Sequence, residues 1–211
     1  MIIPAPFEKE FSEVERVVTA VDGLAPIIQI DIADGSFVDG ETFQDVGLIG
    51  NLHMKSSVEL HLMTYDAANI LSKKIRNVTQ ACVHIELGEI FHEAEKHART
   101  NGYHFGAALN PKTPIEDIEI VLDKIDYVQF MTVEPGGQGR PFEKEVLKKI
   151  VAFKQRHPTV IVQTDGAMDT DTIPLAVRAG ADNIGIGSAL VKAEDIREKF
   201  KEFVQLEKET K

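Results

Sequence analysis

The chain is short of cysteine, has no surplus of basic residues and contains no long apolar run. Each shortage closes off a class of protein. Its one cysteine, Cys82, lies inside an apolar stretch and has no partner within the chain. No disulfide framework can hold the fold, and a reducing compartment is expected. Lys and Arg number 23 against 34 Asp and Glu, a formal net charge of −11. Such a field argues against nucleic acid or an anionic membrane surface as partner. An anionic ligand would have to be held locally, by backbone N–H groups and helix N-termini. No apolar run reaches membrane-spanning length, and the first residues lack the basic start and apolar core of a signal peptide. A cytoplasmic enzyme or binding protein is the resulting expectation. No linker-like or low-complexity stretch interrupts the 211 residues, of which 43% are hydrophobic, so one domain spanning 1–211 is expected.

What the chain does have is periodicity. In Ile28–Phe37, Ile28, Ile30 and Ile32 alternate with Gln29 and Asp31 until the run breaks at the turn dipeptide Asp34-Gly35. Gln29 and Asp31 then share one face of a strand, with Asp31 near its C-terminal end. Similar reasoning places strands at 1–6, 25–32, 57–63, 80–86, 104–109, 127–133, 159–164 and 183–186. Helices fall at 7–21, 66–74, 90–101, 113–122, 142–157, 172–179 and 193–204, followed by a charged, frayed tail. Eight β/α alternations predict a parallel sheet. At this length they predict a closed (β/α)8 TIM barrel. The alternative is an open doubly wound sheet, but no Gly-rich dinucleotide fingerprint follows the first strand.

In such a barrel the active site lies at the C-terminal ends of the strands. Asp31 ends the second strand, His61 lies near the end of the third, and His84 and Glu86 end the fourth. Asn110 follows the fifth, Thr132-Val133-Glu134 closes the sixth, and Asp165 ends the seventh. The plain alternative for Asp31 is a structural carboxylate bonded to the next turn, and a lone strand His reads as a core residue. Two Asp and a His at the same end of different strands favour function. Gly-rich stretches after the sixth (Glu134–Gly139), seventh (Asp165-Gly166-Ala167) and eighth (Gly185–Ser188) strands fit a phosphate cradle. No Lys at a strand end suggests Schiff-base chemistry, and no Ser–His–Asp arrangement is present.

Taken together, Gln29–Phe37, Glu59-Leu-His-Leu-Met, Val83-His-Ile-Glu, Ala108–Pro114, Met131-Thr-Val-Glu-Pro-Gly, Thr164-Asp-Gly and Ala179-Gly-Ala-Asp with Gly187-Ser-Ala resemble the ribulose-phosphate 3-epimerase family. The likeness runs in the family's order along nearly the whole chain. It implies a barrel of the ribulose-phosphate-binding type that interconverts D-ribulose 5-phosphate and D-xylulose 5-phosphate. It implies a divalent metal ion, commonly zinc, with iron, manganese or magnesium as alternatives. It also implies a phosphorylated ketose as substrate and a homo-oligomer. By the same resemblance Asp31 and Asp165 are the acid/base carboxylates and also metal ligands, His61 is a third ligand, and Gln29 stands where the family has its first metal-binding His. Gly166, Gly187 and Ser188 would hold the phosphate, and Gly136 would shape the covering loop.

The chain departs from the family pattern at several of these places. An amide oxygen at Gln29 is a weaker and harder ligand than imidazole, which suits Mn²⁺, Fe²⁺ or Mg²⁺ better than zinc. Ala5, Ala33 and Ala167 replace a Ser, a Met and a Gly of the family motifs, and the sixth loop lacks its usual Phe. Two other readings therefore stay open. One is a non-catalytic phosphosugar-binding relative, and the other is a different phosphosugar isomerase or lyase on the same barrel.

Overall fold

Strand alternation divides the molecule into two interiors. In β2 (Ile27–Ala33) and β3 (Ser57–Met63), one set of side chains is Ile28, Ile30, Ile32, Val58, Leu60 and Leu62, and the other is Gln29, Asp31, Glu59 and His61. A computed structural model describes residues 1–211. Both sets are buried: the apolar set packs outward against helices and the polar set points into a barrel.

The remaining strands are β1 (Ile2–Pro4), β4 (Val78–His84), β5 (His104–Leu109), β6 (Tyr127–Met131), β7 (Ile161–Asp165) and β8 (Asn183–Ile186). All eight join one parallel sheet in the order β1-β8-β7-β6-β5-β4-β3-β2. Across the seam between β1 and β2, the Asp31 N–H donates to the Pro6 carbonyl at 3.4 Å, nearly closing the barrel. Register aligns the strand ends: Asp31 lies opposite His61, and Asp165 opposite Met131 and Gly185.

Helices α1 (Phe11–Val21), α2 (Ala67–Leu71), α3 (Glu89–Thr100), α4 (Ile115–Glu119), α5 (Glu145–Arg156), α6 (Ile173–Ala179), α7 (Ser188–Val191) and α8 (Ile196–Thr210) surround the sheet. The main apolar core lies between them and the outer face of the strands, with Phe91, Phe105, Phe130, Phe153 and Phe203 fully buried there. A separate cluster of Cys82, Ala108 and Tyr127 lies inside the barrel. Gly106 has no room for a side chain because the Tyr127 ring occupies the place of its Cβ. No helix is long and apolar enough to cross a membrane.

Four expectations change. Helix α1 starts at Phe11 rather than residue 7, because the Glu8 carbonyl accepts from Phe43 N–H and the Phe7 carbonyl from the Gln138 amide. Strand β4 ends at His84, so Glu86 lies in a 3₁₀ turn, Ile85–Leu87, outside the sheet. The helix expected at 113–122 is shortened to α4 and a separate turn at Leu122–Lys124. The tail expected to fray is helical to Thr210: Asp195 caps it through Glu198 N–H at 3.0 Å, and Ile196, Phe200, Phe203 and Glu207 form a buried stripe.

Candidate active site

Asp31 at the end of β2, His61 in β3 and Asp165 at the end of β7 line one pocket. The same pocket is lined by Gly136, Gly166, Gly187 and Ser188, so these expected site residues converge. Ala5, Phe7, Met63, Met131, Met168 and the sixth-loop residues Pro135–Arg140 complete most of the wall. Gly187 has no space for a side chain, because a Cβ would stand 2.9 Å from the Ala5 carbonyl oxygen. Gly166 takes φ +111°, a conformation open to glycine, and its missing side chain leaves Val133 in place. The sixth loop is seated on the β1 and β2 loops: Gly136 approaches Gly40, and the Gln138 amide donates to the Phe7 carbonyl and to Glu8 Oε1, both at 2.9 Å.

Beneath the pocket the carboxylates are tied together. Gln29 Nε2 donates to Asp31 Oδ1 at 2.8 Å and to Asp165 Oδ2 at 2.7 Å. His61 Nδ1 lies 3.0 Å from the same Asp31 oxygen and 3.5 Å from the same Asp165 oxygen. On its other side, His61 Nε2 is 3.0 Å from His84 Nε2, with the two rings stacked at 5.1 Å. Burial opposes charge on His61, but its bonds to Asp165 and Asp31 and their negative charges prevail and raise its pKa to about 10. Burial, followed by contact with that imidazolium, holds the His84 pKa below the usual value even with Glu86 nearby. An imidazolium at His61 donates on both sides, which leaves His84 Nε2 to accept. Burial and the charge of Asp165 raise the Asp31 pKa to about 6.

A deeper layer holds this layer in place. Gln163 Nε2 lies 3.0 Å from Gln29 Oε1, 2.7 Å from Glu59 Oε1 and 2.8 Å from Gln129 Oε1, so its two hydrogens are shared among three acceptors. Gln129 Nε2 in turn lies 3.3 Å from both His61 ring nitrogens and 3.4 Å from Asp165 Oδ2. Gln29, Glu59, Gln129 and Gln163 are all fully or almost fully buried. Burial is the main cause that raises the Glu59 pKa to about 7, against the lowering effect of its hydrogen bonds.

Asp31, His61 and Asp165 could hold a metal ion, since each brings a ligand atom to within 4.8 Å of the others. Gln29 does not complete that set. Its oxygen is turned to Gln163 and its NH₂ to the two carboxylates, and an N–H is a donor with no lone pair for a cation. The expectation of Gln29 as a metal ligand is corrected on that ground: as arranged, it sets two N–H donors rather than a fourth ligand atom against the other three residues.

Other expected strand-end residues stand apart. His84 lies beside His61, outside the pocket lining. Glu86 turns away and accepts from Asn110 N–H at 2.8 Å and from the Thr113 hydroxyl, and Glu134 faces Lys112 in solvent. Sequence reasoning missed Gln129, Gln163 and Arg140. Gln129 between Val128 and Phe130, and Gln163 two residues before Asp165, carried the alternation signal for inward positions. Arg140 carried none, because a loop has no face; it is the one Lys or Arg in the pocket wall, 3.9 Å from the exposed Asp39.

Residues 1–191 match the model of the family described as "Ribulose-phosphate 3 epimerase family". The ribulose-phosphate 3-epimerase of Rhodobacter capsulatus is 33% identical over 196 residues, covering 90% of this chain and 86% of its own length. That of Schizosaccharomyces pombe is 31% identical over 176 residues, covering 81% and 77%. Among solved structures, KGPDC from Streptococcus mutans superposes with a TM-score of 0.76 at 12% identity, over 99% of this chain and 97% of that one. The 3-hexulose-6-phosphate synthase of Salmonella typhimurium gives 0.71 at 11% identity over the full length of both. These two likenesses establish the barrel, while the matches in sequence establish kinship: the chain belongs to the ribulose-phosphate 3-epimerase family, whose members are isomerases acting on carbohydrates.

Proposed function

We propose that the chain interconverts D-ribulose 5-phosphate and D-xylulose 5-phosphate by moving the proton at C3 between Asp31 and Asp165. The observation that carries this reading is the pair of carboxylates, held from two different strands at one pocket floor by shared N–H donors. Inversion at carbon needs a base on one face and an acid on the other. One carboxylate takes the C3 proton, and the electron pair of the broken C–H bond moves into an enediolate. The other carboxyl group, protonated beforehand, delivers its proton to the opposite face. The two groups end with their protonation states exchanged, ready for the reverse reaction. The His61 imidazolium lies against both carboxylates and offers positive charge to the developing oxyanion. The phosphate end is assigned to the loops at Gly166 and at Gly187-Ser188, with the guanidinium of Arg140, the one Lys or Arg in the pocket wall, beside them.

Proton NMR in D₂O tests the reading. Deuterium uptake at C3 of ribulose 5-phosphate, with appearance of the xylulose epimer, is the expected result. Absence of exchange with either ketose phosphate would overturn it and leave a phosphosugar-binding protein as the better description.

A further inference from the structure

We propose that the carboxylate pair of this chain is organised by the Gln29 side-chain amide in place of a divalent cation, with Gln163 as the residue that aims that amide. This arrangement lies in the layer beneath the pocket and does not depend on the ketose-phosphate reading.

The hydrogens of Gln29 have fixed destinations. Its Nε2 lies 2.8 Å and 2.7 Å from one oxygen of each carboxylate, and those are the same oxygens that face His61 Nδ1. An amide NH₂ carries two hydrogens, and here each has a carboxylate to meet. A cation bound to these three ligand atoms would sit about 2.0–2.2 Å from each. Gln29 Nε2 is only 3.4 Å from His61 Nδ1, so it stands against the same small space with its hydrogens turned into it.

For Gln29 to become a ligand, its amide would have to reverse. Reversal sets its NH₂ against Gln163 Nε2, now 3.0 Å from its oxygen, so Gln163 would have to turn as well. Gln163 Nε2 also faces Glu59 Oε1 at 2.7 Å and Gln129 Oε1 at 2.8 Å, so its two hydrogens are shared among three oxygens, and turning it would set its own oxygen against that group. The direction of all three amides is thus set as a unit from the floor of the barrel. Gln129 adds a second NH₂, 3.4 Å from Asp165 Oδ2, which further occupies that oxygen. Each of these contacts would be lost or reversed at once, and a buried polar group left without its partner is strongly disfavoured.

The test uses the full chain, stripped with chelator and titrated with MnCl₂ and, separately, ZnCl₂. The expected result is no stoichiometric uptake by elemental analysis. In ¹⁵N-edited NMR the Gln29 side-chain NH₂ signals stay sharp, because paramagnetic Mn²⁺ does not enter. Gln29→His supplies an imidazole in place of the amide, and its affinity for Mn²⁺ or Zn²⁺ is expected to rise roughly 100-fold. Stoichiometric binding by the unaltered chain, with the Gln29 and His61 signals broadened by one equivalent of Mn²⁺, would overturn the proposal. That titration needs no variant, so it decides the matter even if Gln29→His does not fold. Deuterium exchange at C3 is a separate readout and can fail without affecting this one.

Discussion

The two interiors of the molecule are equally buried and opposite in chemistry. Between sheet and helices, Phe130 and Phe153 meet at 5.6 Å within a continuous apolar core. On the other face of the same strands, Gln29, Glu59, His61, Gln129, Gln163 and Asp165 fill the barrel with hydrogen bonds. The outer core derives its stability from area removed from water and tolerates changes of shape in proportion to the cavity they leave. The inner layer derives specificity from directed pairing, where a single missing donor orphans its neighbours. This contrast lets one fold combine a rigid apolar shell with a charged, aimed centre.

The comparison is broken most severely at the centre itself. Asp165→Asn keeps the shape of the side chain and removes its ability to take a proton. C3 exchange should fall roughly 10²–10⁴-fold while the far-ultraviolet circular dichroism stays unchanged; retained exchange would remove Asp165 from the mechanism. In the outer core, Phe153→Ala should lower the unfolding free energy by about 3–5 kcal/mol, measured in urea, with little effect on the KM of the surviving folded protein. Gln163→Leu sharpens the contrast. It adds no cavity, yet it should cost about 1–3 kcal/mol, because Gln29 Oε1, Glu59 Oε1 and Gln129 Oε1 lose the NH₂ group they share. Equal or greater stability would show that the inner layer behaves as another apolar core.

Two smaller effects lie at the edges. Arg140→Ala should raise KM for the phosphorylated substrate roughly 10-fold, about the worth of one charge-assisted hydrogen bond, without moving the melting temperature. An unchanged KM would return the phosphate to backbone groups alone. The smallest effect concerns Asp22, whose Oδ1 accepts from Lys55 and Ser56 N–H, both at 2.8 Å, and so pins the turn before β3. Burial works against its charge, but these backbone bonds hold its pKa below the usual value. A carboxylate depressed by folding stabilises the fold at pH values above its unfolded pKa and loses that effect as pH falls through the folded value. Asp22→Asn should therefore cost less than about 1 kcal/mol near neutrality, and the difference from the parent should vanish under strongly acidic conditions in urea titrations.

Much of the barrel was legible in the chain because burial on both faces of a parallel strand still leaves a period of two. Asp31, His61 and Asp165 announced themselves as charged groups at inward positions near strand ends, and the Gly-rich turns marked the far side of the pocket. The helix ends were harder to read. Where α1 begins depends on carbonyls taken by Phe43 and Gln138, residues distant in sequence. The final helix could look frayed because its charged residues outnumber the buried stripe that docks it.

From residue order alone follow the eight alternations, the family and the identity of the carboxylate pair, since each depends on local periodicity or on motifs read along the chain. Only the folded barrel decides what Gln29 does. An amide can present an oxygen or an N–H with nearly the same shape, and the choice belongs to its neighbours. Here Gln163, 134 residues away and aimed by Glu59, takes the oxygen and leaves the hydrogens to the carboxylates.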